Sequence, residues 1–341
     1  MTTPHPMKTL ADFQLSPQGP TAQPDAPVAV RIAVVIPCYN EALAIGQTLD
    51  EIRSVLPHAA LHVFDNNSSD DTAAVARAHG AQVNGVKLRG KGNVVRRMFA
   101  DVEADIYVMV DGDATYDPAG LRQHIAMLCD EGLDMLVGTR VDDHQDAQTY
   151  RPGHRWGNRL LTQSVAGIFG GMFTDMLSGY RVFSRRYVKS FPAISHGFEI
   201  ETELTVHALE LRMPYAEAPV AYRARPEGST SKLSTYRDGW RILKTIMKLF
   251  IAERPLAFFS MVAALTALLA VGISVPLAIT YSQTGLVPRL PTAILATGMM
   301  LCAMLSLVCG AILNTVTTGR REAKRLFYLS VPALPRGGAR P

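Results

Sequence analysis

No cleavable leader is expected at the start of the chain. Residues 1–29 are rich in Pro, Gln, Ala and Thr and lack the apolar core of a secretory signal, so they read as a disordered tail. Cysteine is scarce. Cys38, Cys129, Cys302 and Cys309 share no metal-ligand spacing, and two of them fall inside an apolar run. That pattern excludes a disulfide framework or zinc site and fits a reducing compartment. No Gly-x-Gly-x-x-Gly follows the first apolar strand pattern; Pro37-Cys38-Tyr39-Asn40-Glu41 stands there instead, which disfavours a dinucleotide-dependent dehydrogenase. A net charge of +4 without a basic tract speaks against nucleic acid as a partner. No internal repeat occurs.

What the chain does have is two long apolar runs, Leu256–Tyr281 and Leu290–Thr318, neither containing a charge. Each exceeds the roughly 20 residues that cross a bilayer, whereas buried core helices seldom run so far uncharged. The expected spans are 255–281 and 290–318, joined by an external loop at 282–289 and followed by a basic tail at 319–341. Lys244, Lys248 and Arg254 precede the first span and Arg320, Arg321, Lys324 and Arg325 follow the second, while the loop holds Arg289 alone. The positive-inside rule then places both termini in the cytoplasm of a multi-pass inner or plasma-membrane protein. Before the first span, at 236–254, Arg237, Arg241, Lys244 and Lys248 recur at helical spacing, with Trp240, Leu243, Met247 and Phe250 towards another side. This juxtamembrane amphipathic helix suits a headgroup interface, and packing onto the soluble domain is the alternative.

Between residues 30 and 235 strands and helices alternate. Strands are expected at Val30–Ile36, Ala60–Phe64, Ile106–Val110 and Asp134–Gly138, and helices at Glu41–Leu56, Asp71–Gly80, Gly92–Glu103 and Pro118–Glu131. Such alternation implies an α/β domain with a mainly parallel, doubly wound sheet. Ligands bind beyond the carboxyl ends of such strands, where three polar clusters fall: Asn40-Glu41, Asp65 through Thr72 (Asn67 included), and Asp111-Gly112-Asp113. Asp-Gly after a strand is also a turn signal, and Ser69 or Asp70 is a good helix N-cap. Asp65 is left unexplained by capping, and two carboxylates two residues apart make a hard oxygen site for Mg²⁺ or Mn²⁺. Gly90-Lys91-Gly92 opens a helix, aiming a cation between residues that let backbone come close to a ligand.

In order and spacing, Ile36–Glu41, Asp65–Thr72, Gly90–Gly92 and Asp111–Asp113 resemble the family 2 glycosyltransferases. Within that family the likeness is to polyprenyl-phosphate sugar transferases of the dolichyl-phosphate mannose synthase and GtrB-like type, over about residues 30–250. The resemblance implies a GT-A fold, a Rossmann-like nucleotide-diphospho-sugar transferase domain. It implies that Asp65 holds the base of a UDP- or GDP-linked hexose, with Pro37, Tyr39, Asn40, Glu41 and Asn67 around it. Asp111, Gly112, Asp113 and Lys91 then face the diphosphate, and Asp111 and Asp113 are the metal ligands. Arg140, in Val137-Gly138-Thr139-Arg140, is implied as a phosphate ligand. Arg155, Ser178, Arg181, Arg225, Ser231 and Lys232 are implied around the phosphate of a polyprenyl acceptor. Two departures stand out: Thr115 occupies the place of a metal-binding Gln, and one extra residue before Ser231 leaves Arg223 and Arg225 as alternatives.

A lipid phosphate, with a second pKa of about 6, arrives already ionised and requires no general base. The reading is therefore an inverting hexosyltransferase anchored in the bilayer, with homo-oligomerisation open. Transfer to a glycolipid or polysaccharide hydroxyl is the alternative, with Glu199 or Glu201 as candidate base; an inactive membrane-tethered scaffold is another. The chain lacks a Gln-x-x-Arg-Trp signature, which disfavours a processive polysaccharide synthase.

Overall fold

The computed structural model describes residues 30–142, 165–171, 173–226, 228 and 235–334. Seven strands form one sheet: β1 (Ile32–Cys38), β2 (Ala60–Asp65), β3 (Gln82–Gly85), β4 (Ile106–Met109), β5 (Met135–Asp142), β6 (Arg181–Ser184) and β7 (Tyr215–Tyr222). Their order is β3-β2-β1-β4-β6-β5-β7. β3, β2, β1 and β4 are mutually parallel, β6 is antiparallel to both neighbours, and β7 runs parallel to β5. Helices α1 (Ile45–Val55), α2 (Thr72–Ala78), α3 (Lys91–Asp101), α4 (Leu121–Asp130), α5 (Arg185–Ser190) and α6 (Ile200–Leu211) cover the sheet.

The core has two layers because alternate strand residues point to opposite faces. Ala33 and Val35 of β1 join Met98, Tyr107, Phe183 and Leu204 on one face, whereas Val34 and Ile36 join Leu49, Ile52, Val63, Ile125 and Leu136 on the other. Burying each of these side chains contributes about 1.5–3 kcal/mol, which explains why β1 and β4 are nearly pure apolar runs.

Several boundaries differ from expectation. β1 runs through Pro37, because its pairing with β4 ends at Val35↔Met109 and the missing N–H breaks no bond on that side. α1 begins at Ile45 rather than Glu41, since the Glu41 and Ala42 amides are taken by Thr72 Oγ1 (2.8 Å) and Asp70 Oδ2 (3.1 Å). β3, β6 and β7 lacked a sequence signal. β6 is four residues, buried on both faces, and opens on an arginine; β7 is an edge strand carrying Pro219 and partly exposed.

Three helices follow the domain: α7 (Thr235–Glu253), α8 (Pro255–Thr284) and α9 (Leu290–Ser330). On α7, Ile242 and Ile246 are buried in the domain core while Trp240, Leu243 and Met247 stay exposed, so packing onto the domain and an outward apolar face coexist. α8 and α9 have mean hydropathies of 2.4 and 2.1 in their most apolar windows, of which only 11% and 17% is buried. A core helix would be mostly covered; these two are long and apolar enough to cross a membrane. They pack on each other, and the residues buried along them include small ones seven apart, Ala263 and Ala270 on α8 and Ala296, Ala303 and Gly310 on α9. A Cβ at Gly310 would meet Phe259 Cβ at 2.9 Å.

α9 does not end near Thr318. At 41 residues it spans about 60 Å, twice a hydrocarbon core, so residues 319–330, read from sequence as tail, are helix. That extension docks on the domain. Thr317 Oγ1 and Arg320 Nη2 donate to the Ala252 carbonyl at 3.1 and 2.7 Å, satisfying the end of α7, and Arg321 donates to the Glu253 carbonyl. Lys324 meets Glu210 of α6 at 2.7 Å, and the Tyr328 hydroxyl donates to buried Asp134 at 2.7 Å.

Candidate active site

The parallel register brings the ends of β1, β2 and β4 to one edge, Cys38 lying opposite Asp65. The loops that leave these ends are stitched together. The Asn40 amide donates to Ser68 Oγ at 2.9 Å, and Asn40 Oδ1 accepts from the Ser69 amide at 2.7 Å. Each loop contains one left-handed residue: Asn40 (φ 54°), Asn67 (φ 59°) and Ala114 (φ 57°). Asparagine tolerates this conformation; for Ala114 it costs on the order of 1 kcal/mol, the kind of strain that collects at functional sites. The Ala114 turn lets both the amide and hydroxyl of Thr115 donate to Asp113 Oδ1, at 3.2 and 2.6 Å. The segment is thus a tight turn and a presented carboxylate at once.

The two aspartates meet different cations. Asp111 Oδ1 lies 2.6 Å from Lys91 Nζ, which also reaches Glu201 Oε1 at 2.7 Å. Asp113 Oδ2 lies 2.5 Å from Arg225 Nη2, whose other nitrogen is 3.6 Å from Glu41. Among the described residues, four carboxylates therefore contact two cations. Burial and the neighbouring Asp111 push the Asp113 carboxyl up, against the pull of Arg225. Burial likewise pushes Glu201 up, opposed by Lys91. Burial works against the Lys91 charge, but Asp111 and Glu201 outweigh it and hold the ammonium above its ordinary range. Gly179 backs the cluster, where an added Cβ would collide with the Asp111 carboxylate.

Among the described residues no three His, Cys, Asp or Glu side chains converge to hold a metal unaided. Mg²⁺ commonly binds through one or two carboxylates plus waters and substrate phosphates. Asp111 and Asp113 fit that mode: among the described residues the cluster carries more carboxylates than cations, and buried Glu201 Oε2 has no hydrogen-bond partner there.

Other expected residues divide clearly. Half-buried Asp65 ends β2, its carboxylate 3.4 Å from the Ser68 amide, and exposed Tyr39 lies beside it in the stitched loops with the Arg89 guanidinium 5.9 Å from its ring. Asn67 Nδ2 donates to the Lys87 carbonyl at 2.6 Å, so its side chain braces the loop. Gly112 packs against Cys38 at the floor of the turn. Arg140 is held by Asp175 through two 2.7 Å bonds, with Tyr222 5.7 Å beneath it. Arg225, at the Asp113 carboxylate, is separated from Arg223, which pairs instead with Glu51 and Asp117 at 3.3 and 2.8 Å.

Three expectations are corrected. Ser178 and Arg181 face the interior and are fully buried. The Arg181 guanidinium donates to Met176, Ser178 and Glu201 carbonyls and to Thr205 Oγ1, and Ser178 Oγ donates to the Gly138 carbonyl at 2.5 Å. Both side chains are bonded to protein groups, and through Arg181 they tie the site's floor to α6. The glycines flanking Lys91 approach protein rather than ligand: a Cβ on Gly90 or Gly92 would strike the carbonyl of His196 or Ser195. Glu199 accepts from the His196 and Gly197 amides at 3.3 and 3.1 Å, bracing that same loop, which leaves Glu201 as the carboxylate inside the cluster. Arg155, Ser231 and Lys232 lie outside the described residues.

Sequence reasoning gave no individual role to Asp175, Asn66 or Gly179. Asn66 donates to the Val86 and Leu88 carbonyls and accepts from the Gly90 amide at 2.6 Å, fixing the Lys91 loop to β2. Its adjacency to Asp65 was the available signal; Asp175 had none, since its partner lies 35 positions away.

Comparison with known proteins agrees with this geometry. Residues 33–191 match Glycosyl transferase family 2. Glycosyltransferase AglJ of Haloferax volcanii is 33% identical over 237 residues, covering 69% of this chain and 77% of that protein. A dolichyl-phosphate hexose transferase of the same organism is 28% identical, covering 65% of this chain and 95% of its own length. Among solved structures, glucosyl-3-phosphoglycerate synthase from Mycobacterium tuberculosis, in complex with Mn²⁺, UDP and glucosyl-3-phosphoglycerate, is similar with a TM-score of 0.50 and 25% identity. That likeness covers 65% of this chain and 78% of the synthase. The sheet-edge carboxylates and these relatives together identify the chain as a member of glycosyltransferase family 2, a transferase enzyme with a GT-A-like domain.

Proposed function

We propose that this enzyme transfers a hexose from a nucleotide diphosphate donor to a polyprenyl phosphate at the cytoplasmic membrane face, with inversion at the anomeric carbon. The observation that carries it is the Asp111–Asp113 cluster on a domain whose last helix, α7, leads through Arg254 and Pro255 straight into α8. Bound at Asp111 and Asp113, Mg²⁺ or Mn²⁺ supplies charge neutralisation to the leaving diphosphate. Asp65 and Tyr39 hold the base end of the donor. Lys91, fixed between Asp111 and Glu201, presents a permanent positive charge to the diphosphate. The acceptor phosphate attacks as an anion, and Arg225 and Arg140 orient it and offset its charge, together with Arg155 and Lys232. With Glu201 committed to Lys91, the chemistry proceeds without a general base. Both termini and the catalytic domain sit in the cytoplasm, α7 lies along the headgroups, and α8 and α9 span the bilayer.

The test is purified protein with Mn²⁺, a panel of UDP- and GDP-hexoses, and either undecaprenyl phosphate or hydroxyl-bearing glycolipid. Labelled sugar should move to the lipid phosphate from one donor. Movement only to a hydroxyl acceptor overturns the acceptor assignment.

A further inference from the structure

Tyr116 closes the turn that presents Asp113, and its side chain is buried. Its backbone is pinned to the end of β7: Tyr116 bridges Tyr222, and the neighbouring Thr115 carbonyl accepts from the Arg223 amide at 2.7 Å. The ring stands edge-on to that of Tyr222, with centroids 5.2 Å apart. From this fixed root the hydroxyl reaches the segment that backs the site. It accepts from the Gly179 amide at 3.0 Å and lies 3.3 Å from Ser178 Oγ. The serine gives its own proton to the Gly138 carbonyl at 2.5 Å, so the tyrosine donates in that pair. The bonds thus run one way, from the Gly179 N–H through Tyr116 and Ser178 to β5, two residues before Arg140.

Resting on the function proposed above, we infer that Tyr116 and Ser178 are positioning residues for the divalent-cation site at Asp111 and Asp113. Thr115 ties Asp113 to the same turn that carries Tyr116. Asp111 lies instead against the bare backbone of Gly179, where a Cβ would strike its carboxylate. The Tyr116 hydroxyl joins these two supports, and so sets how far the Asp111 carboxylate stands from that of Asp113. Mg²⁺ demands near-ideal geometry from its oxygen ligands, so that spacing decides affinity. Without the hydroxyl, the buried Gly179 amide loses its acceptor and the backbone behind Asp111 moves to find another. Ser178 enters the same chain one bond further on and fixes the direction of the tyrosine O–H. Ser178, expected at the acceptor phosphate, thereby serves the metal.

The experiment is direct Mn²⁺ binding to the full chain in detergent, read from the electron paramagnetic resonance of free Mn²⁺ without nucleotide. Tyr116→Phe and Ser178→Ala should each weaken Mn²⁺ binding about tenfold. The double variant should lose no more than the weaker-binding single one, because the two hydroxyls act as one chain. Tyr180→Phe is the control for a merely structural role. Tyr180 is equally buried and packs on Tyr116, but its hydroxyl lies 2.7 Å from His124 Nδ1. That variant should melt at a lower temperature and keep wild-type Mn²⁺ affinity. Wild-type affinity in Y116F, an equal loss in Y180F, or additive losses in the double variant overturns the inference and leaves the metal reading intact. Absence of Mn²⁺ uptake by wild type removes the metal reading and the inference with it.

Discussion

Two buried charge clusters hold this protein together, and their balance differs. At the carboxyl edge of the sheet, Glu41, Asp111, Asp113 and Glu201 share Lys91 and Arg225. At the joint between the domain and the long apolar helices, Glu210 and Glu253 share Arg320, Arg321 and Lys324. Among the described residues the first sets four carboxylates against two cations, the second two carboxylates against three. The second has cations to spare, and it spends them on the carbonyls that end α7. The two clusters thus differ in the sign of the charge left over among the described residues, negative at the sheet edge and positive at the joint.

Substitutions at each cluster sharpen that contrast. Asp113→Ala should reduce sugar transfer about a thousandfold by removing charge stabilisation. Lipid-linked product persisting in that variant would remove the metal assignment. Gly179→Ala should cost about a hundredfold, since its Cβ displaces the Asp111 carboxylate, and a small displacement of a positioning group has that cost. A steady-state rate with crude lipid acceptor suffices to see it. Lys324→Ala removes the 2.7 Å partner of Glu210, 3% exposed, and leaves it Arg321 at 3.3 Å. It should destabilise the protein by about 3 kcal/mol, read as a lower melting temperature in detergent, while transfer per folded molecule stays within about twofold. Equal losses of activity in K324A and G179A would erase the distinction between the clusters.

The smallest effect concerns acid. His207 on α6 is buried with Nε2 3.1 Å from Ser190 Oγ, and burial, then the charge of Lys324, pushes it down to about 3. The unfolded chain takes up a proton below the usual histidine value near 6.5 that the folded chain refuses until about pH 3. Stability is therefore intact above pH 6.5 and falls by about 1.4 kcal/mol per unit of acidification beneath it. Denaturant midpoints measured from pH 7 to 5 should show this slope, and His207→Phe should flatten it.

How much of this was legible follows from where the partners lie. Asp65, Asp111 and Asp113 stand at strand ends, so residue type and local spacing sufficed to place them on one edge. Lys91 was legible as a cation but not as the bridge to Glu201, because the pair joins α3 to α6. Arg181 shows the opposite failure: its motif position suggested a ligand, while burial and four protein acceptors make it a strut. The joint was invisible. Arg320, Arg321 and Lys324 obey the charge rule for membrane flanks, and nothing local announces that Lys324 pairs with a glutamate 114 positions earlier. β6 went unseen for a similar reason, its four residues gaining strand structure only from β4 and β5 on either side.

The central claim is that the cluster at Asp111 and Asp113 drives transfer onto a phosphate. Mass spectrometry of the product made from undecaprenyl phosphate and labelled donor, before and after mild acid, tests it most directly. The account predicts a hexosyl phosphodiester that forms with Mn²⁺, fails to form with chelator or in D113A, and releases free hexose in acid. An acid-stable glycoside on a hydroxyl, or the phosphodiester formed equally well by D113A, would contradict it.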